Sequence, residues 1–169
     1  MPEPTTIHLA SVGARHHHGP GPLLSVMVPP IVFELSGFAG RVPCLTPQGE
    51  EQDMARDLLR RRQRGEIIPT DDPALTAYRT TYTARLRTIA TLAALPGADW
   101  LPRWPTYVTA DCPPEGLALP DGATLVCTCA VSEAAAGRCH RVWAAGVLAE
   151  SGYRVILDGQ PLTTPEPRP

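Results

Sequence analysis

The stretch from Ala123 to Leu157 constrains the fold more than any other part of the chain. Ala123-Thr124-Leu125-Val126-Cys127 is a short apolar run of strand length, residues 139–150 carry a helical pattern, and Tyr153 to Leu157 is a second apolar run. Gly152 stands where a helix-ending C′ glycine belongs. Strand, helix and strand in that order form a βαβ unit, whose strands run parallel and whose crossover is right-handed. The chain is therefore expected to be an α/β protein with a mostly parallel sheet flanked by helices.

The rest of the sequence supplies further elements. Thr6 to Gly13 reads as a first strand, with Ile7, Leu9 and Ser11 on one face. The segment His16-His17-His18-Gly19-Pro20-Gly21-Pro22 is read as irregular, because proline and glycine break both helix and ladder. Leu23 to Val28 and Ile31 to Leu35 are apolar runs split by Pro29-Pro30, open to reading as strands, a bent edge strand or packed loop. Residues 50–64 read as a helix with Met54, Ala55 and Leu58 inward, an acidic first turn, and an arginine run at 60–64 that reads as a solvated helix end. Asp72 precedes Pro73 as an N-cap, and Leu75, Tyr78, Tyr82, Leu86, Ile89 and Ala93 recur at helical spacing until Pro96-Gly97. The segment 96–120 reads as an irregular crossing with one short strand at Thr106 to Thr109. With 20 prolines and 14 glycines in 169 residues, the expectation is one domain over 1–160 with long Pro/Gly-rich loops, and a disordered proline-rich tail over 161–169.

Composition narrows the chemistry. All 15 basic residues are arginine, so no lysine is present to form a Schiff base. A net charge of −2 and a pI near 6.2 argue against broad electrostatic binding of nucleic acid. No stretch approaches the roughly 20 apolar residues of a membrane span, and the opening Met1-Pro2-Glu3-Pro4 lacks the order of a signal peptide, so a cytoplasmic protein without membrane contact is expected. Five cysteines, three of them between 127 and 139, suit a metal or catalytic cluster better than a secreted disulfide framework. Cys44 and Cys112 read as buried core.

Cys127 and Cys129 lie two apart at the carboxyl end of a strand, so extended backbone turns their thiols to one side. Cys139 and His140 open the next helix, and the loop Ala130 to Arg138 empties into the crevice outside the strand ends, where open parallel sheets bind ligands. All four groups are expected to meet there. In the leading reading the protein is an enzyme, a cysteine-dependent hydrolase or transferase, that requires no cofactor. Cys139, its thiol pKa lowered by the helix N-terminus, is the nucleophile or redox thiol, and Cys127 joins it in the catalytic set. His140 is the acid/base, while Arg141 and Arg138, with Arg15 if the first strand shares the sheet, hold a nucleotide-like or other anionic substrate. The alternative gives Cys127, Cys129, Cys139 and His140 to zinc as a Cys₃His set, in a module that contacts protein or nucleic acid. Its spacing is unusual: one residue separates the first two thiols and none separates Cys139 from His140. A reversible disulfide from Cys139 to Cys127 or Cys129 is a third use. The histidine triplet reads either as an exposed loop or as a binder of transition metals in vitro.

A strand ending in Cys127, followed by Cys139-His140-Arg141 at the start of a helix, resembles the domain-of-unknown-function 488 family. The resemblance is concentrated in Thr124 to Gly159, with weaker echoes in Thr6 to Gly13 and around Tyr78 and Tyr82 to Leu86. Cys129 instead resembles related families that carry Cys-x-Cys. The resemblance implies a compact α/β fold with a shared pocket and names no reaction.

Overall fold

The computed structural model describes residues 3–27, 37–97, 104–113 and 115–162. In chain order the strands are β1 (Thr6–Ser11), β2 (Leu23–Ser25), β3 (Phe38–Arg41), β4 (Thr106–Tyr107), β5 (Leu117–Ala118), β6 (Thr124–Cys127), β7 (Arg154–Leu157) and β8 (Gln160–Pro161). The helices are α1 (Glu50–Gln63), α2 (Pro73–Ala93), α3 (Val131–Ala135) and α4 (His140–Glu150). Among the described residues six strands form one sheet in the order β3-β2-β6-β1-β7-β8, and β4 and β5 pair separately. Every pairing in the large sheet is parallel except that of β7 with β8. The expected α/β architecture with a mostly parallel sheet is the one formed.

The βαβ unit is β6, α4 and β7, with β1 inserted between its two strands. β1 pairs Leu9 with Leu125 on one side and Ile7 with Val155 on the other. Side chains alternate across a sheet, so Ile7, Leu9, Leu24, Leu125, Cys127 and Val155 share the face against which α4 packs, and five of these six are core aliphatics. The sixth is the site cysteine, which is why its sulfur points into packed protein and not into solvent.

Asp72 caps α2 by accepting from the amides of Ala74 (2.9 Å) and Leu75 (3.2 Å), and Leu75, Tyr78, Tyr82 and Leu86 are its buried stripe. Two of these meet α4 edge to face, Tyr78 with Trp143 at 5.0 Å and Tyr82 with His140 at 5.8 Å between ring centres. The arginine run at the end of α1 is not simply solvated. Arg61 pairs with Glu66 and Asp72, and Arg62 pairs with Glu133 at 2.9 Å.

Several local readings change. Residues 15–17 form a 3₁₀ turn where irregular chain was expected. Beyond it Gly19 and Gly21 press on Gly122 so closely that a Cβ at either would stand 2.6 Å from that backbone, which only glycine tolerates. β2 is an interior strand, flanked by β3 and β6, and β3 was not foreseen. The short strand at 106–109 reduces to β4 plus a bridge from Val108 to Arg41. Ile31 to Leu35 and residues 163–169 of the tail lie outside the described residues. No helix of the described residues is long and apolar enough to cross a membrane.

Candidate metal centre

β6 ends at Cys127, and Cys129 follows two residues later, in a bend. The short α3 and Gly137, whose φ of 70° is a conformation suited to glycine, turn the loop back to Cys139. Cys139 is the N-cap of α4, in extended backbone (φ −129°, ψ 135°). The three sulfurs all lie within 4.8 Å of one another, and Cys127 Sγ and Cys139 Sγ are 3.4 Å apart. Cys127 and Cys139 are buried and Cys129 is half-buried. The sequence-based expectation that these thiols converge at the carboxyl edge of the sheet is met.

Arg141 organises them. Its side chain is fully buried, and Nη1 donates to Cys127 Sγ (3.1 Å) and to the Cys129 carbonyl (2.8 Å), with Cys139 Sγ at 3.8 Å. Nη2 donates to both carboxylate oxygens of Asp158, at 3.1 and 3.0 Å. Asp158 (φ 47°) and Gly159 (φ 80°) form the two-residue turn between β7 and β8, a geometry that requires positive φ at both positions. Sequence reading missed Asp158. The available signal was the Asp-Gly pair between two extended runs, a strong hairpin mark.

The charge on the cluster falls on Cys127. Hydrogen bonds from the thiols of Cys129 and Cys139 hold its pKa well below the usual thiol value despite burial, and the positive charge of Arg141 adds to them. The same bonds keep their donors protonated. Cys129 is pushed up to about 12, chiefly by its bond to Cys127, and Cys139 is raised well above its ordinary value by its bonds to both sulfurs and by burial. The expectation of a lowered pKa at Cys139 is thereby corrected. A helix N-terminus favours its anion, but a neighbouring sulfur at 3.4 Å already holds the negative charge, and two adjacent buried anions repel. Away from the cluster, burial pushes the Cys44 thiol up to about 11.

The other residues singled out from sequence are placed differently from one another. His140 is buried beside the trio, but its Nε2 donates to the Val26 carbonyl at 2.8 Å, and only the three thiols form the clustered ligand group. Arg141 is not an open anion clamp, since its guanidinium is enclosed by protein acceptors and only Nε lacks a partner. Arg138 ties down the loop through Glu133 (3.0 Å) and the Ile68 carbonyl (2.9 Å). Arg15 lies exposed on the 3₁₀ turn after β1, at the same sheet edge.

A pocket of about 80 Å³ opens beside the sulfurs, lined by Cys129, Cys139, His140, Tyr78, Met27 and Leu58 among others. Tyr78 is buried, its hydroxyl has no hydrogen-bond partner, and burial raises its pKa, so the phenol keeps its proton. Sequence reading placed Tyr78 in the apolar stripe of α2, and nothing in its spacing separates it from a packing residue. A larger hollow of about 580 Å³ lies between α2 and α4 around Trp104, Arg87 and Glu150. It contains no thiol, and its one ion pair is exposed on both sides.

Fold and site together define a small α/β protein with a cluster of three cysteines, Cys127, Cys129 and Cys139, that could hold a metal ion. No protein-family model, no curated protein and no solved structure matches the chain.

Proposed function

We propose that this is a metal–thiolate protein in which Cys127, Cys129 and Cys139 bind a single thiophilic ion, zinc first, at the carboxyl edge of β6. The observation that carries the reading is the mutual spacing of the three sulfurs, all within 4.8 Å. Sulfurs at about 2.3 Å from a tetrahedral zinc stand about 3.8 Å from each other, so closing the trio around an ion takes only side-chain adjustment. Three thiolates and a divalent ion carry one excess negative charge, and Arg141, in contact with Cys127, is placed to offset it. The unusual Cys-x-Cys spacing does not obstruct the set, because the chain bends at Thr128 and Cys129 just past the end of β6 and all three sulfurs still lie within 4.8 Å of one another. Three protein ligands with a pocket alongside is the pattern of an open site, where a further ligand binds, and differs from a closed structural Cys₄ site. Equilibrium dialysis of the purified chain against zinc tests this. A single ion per chain, lost in Cys129→Ser and in Cys139→Ser but kept in Cys44→Ser, is the expected result; no retained ion refutes it.

A second reading, an enzyme that uses the Cys127 thiolate on an anionic or nucleotide-like substrate, is favoured by the Arg141 contact that steadies this anion. Against it, Cys127 is 1% exposed and does not line the pocket, and Arg141 has no open side. The resemblance to the domain-of-unknown-function 488 family is compatible with both readings. Rapid alkylation of Cys127 by iodoacetamide in metal-free protein supports the enzyme, and protection of Cys127 in that state supports the ion centre.

A further inference from the structure

We propose that the pocket beside the sulfurs binds a small carboxylate, one of whose oxygens takes the open position on the ion and accepts a hydrogen bond from the Tyr78 hydroxyl. The inference rests on the metal–thiolate reading and names the class of ligand for that site.

Four observations converge on it. Cys127 and Arg141 close the inner side of the cluster, whereas Cys129 and Cys139 both line the pocket, so a further ligand reaches the ion from there. Tyr78 lines the same pocket, and its hydroxyl is buried and unpartnered. Buried hydroxyls are nearly always satisfied, and each exception requires an explanation. An oxygen acceptor in the pocket supplies it. At the rim, Arg62 uses only Nη2, which donates to the Arg138 carbonyl at 3.1 Å and pairs with Glu133 at 2.9 Å, leaving Nε and Nη1 open for an anion. Arg62 and Arg138 share that single carboxylate, so the rim keeps net positive charge.

Size and polarity select within anions. The pocket is small, about 80 Å³, which suits an acid the size of acetate or propionate. Met27, Ala55 and Leu58 offer an apolar wall to its alkyl end. A phosphate presents no apolar end, and four hydrated oxygens desolvate poorly against those side chains.

The test loads the full chain with cobalt(II) and titrates acetate, propionate and inorganic phosphate, following the visible bands of the ion and the heat of binding. Saturable band shifts with acetate and propionate, and none with phosphate, are expected. Tyr78→Phe should keep its cobalt and its fold, with an unchanged or higher melting temperature, yet bind the carboxylate about tenfold more weakly, the loss of one hydrogen bond to a charged group. Cobalt uptake with bands indifferent to both carboxylates overturns the inference and leaves the ion centre standing. So does equal carboxylate affinity in Tyr78→Phe, or a preference for phosphate. A chain that takes up no cobalt refutes the ion centre, and this inference with it.

Discussion

Arg141 and Asp158 form a two-pronged ion pair inside the protein, Nη2 to both carboxylate oxygens at 3.1 and 3.0 Å, while Nη1 of the same guanidinium reaches Cys127 Sγ at 3.1 Å. One side chain thus joins the β7–β8 turn to the thiol cluster. Asp158 holds one end of the guanidinium, and the Cys129 carbonyl at 2.8 Å shares in holding the other end beside Cys127. Asp158 is therefore a positioning residue for the site.

Replacing Arg141 by Met strands a carboxylate that is only 11% exposed in its side chain. Removing one partner of a buried pair costs about 3–5 kcal/mol, which urea denaturation would show as a lowered midpoint. Arg141→Met combined with Asp158→Asn should recover part of that loss, because no charge is left unpaired. Full additivity of the two single changes would argue that the pair is not coupled.

Cys127 should be ionised at neutral pH while Cys129 and Cys139 are not. The 240-nm absorbance of thiolate should then be present in the metal-free chain and absent in Cys127→Ser. In Arg141→Met it should appear only at higher pH, since the positive charge that helps to lower the Cys127 pKa is gone. Unchanged absorbance in Cys127→Ser would place the anion elsewhere.

Ion uptake should release two protons, those of Cys129 and Cys139, because Cys127 has none to give. Loading in weak buffer with a pH indicator counts them. Release of three would mean that the free cluster carries no preformed thiolate.

Acid should weaken the α1–α2 junction. Hydrogen bonds from Arg61 hold Asp72 at a pKa of about 2, below its ordinary 3.8. A carboxylate whose folded pKa is depressed adds stability that is complete above the unfolded value, and that is lost as pH falls through the folded one. The contribution of Asp72 should therefore be intact above about pH 4 and disappear between about 4 and 2. Asp72→Asn should lower the melting temperature at pH 7 and make no difference near pH 2. An equal deficit at both values would assign the effect to geometry and not to charge.

The convergence of Cys127 and Cys139 was legible in the sequence because a strand-to-helix connection in a parallel sheet returns to the strand's carboxyl end. Strand alternation also put Cys129 on their side, but Cys129 lies in a bend past the end of β6, and the bend rather than the strand brings its sulfur in. The charge on the cluster was not legible. It depends first on the hydrogen bonds that Cys127 receives from Cys129 and Cys139, with the Arg141 guanidinium at 3.1 Å adding to them, contacts that exist only once the loop is folded. Tyr78 was legible as a buried residue, but its unpartnered hydroxyl emerges only when the neighbours are placed. β3 was missed because Phe38-Ala39-Gly40-Arg41 has neither length nor alternation to mark it. Gly40 belongs there for close approach, since a Cβ would stand 2.3 Å from the Val108 carbonyl oxygen.

X-ray absorption at the zinc edge, on the full chain loaded with one equivalent of zinc, tests the metal–thiolate centre most directly, because it separates sulfur from the nitrogens of the His16-His17-His18 segment. The account predicts three sulfur neighbours at about 2.3 Å and one light atom at about 2.0–2.1 Å. A shell of nitrogen and oxygen alone, with the thiols still free to alkylation, would contradict it.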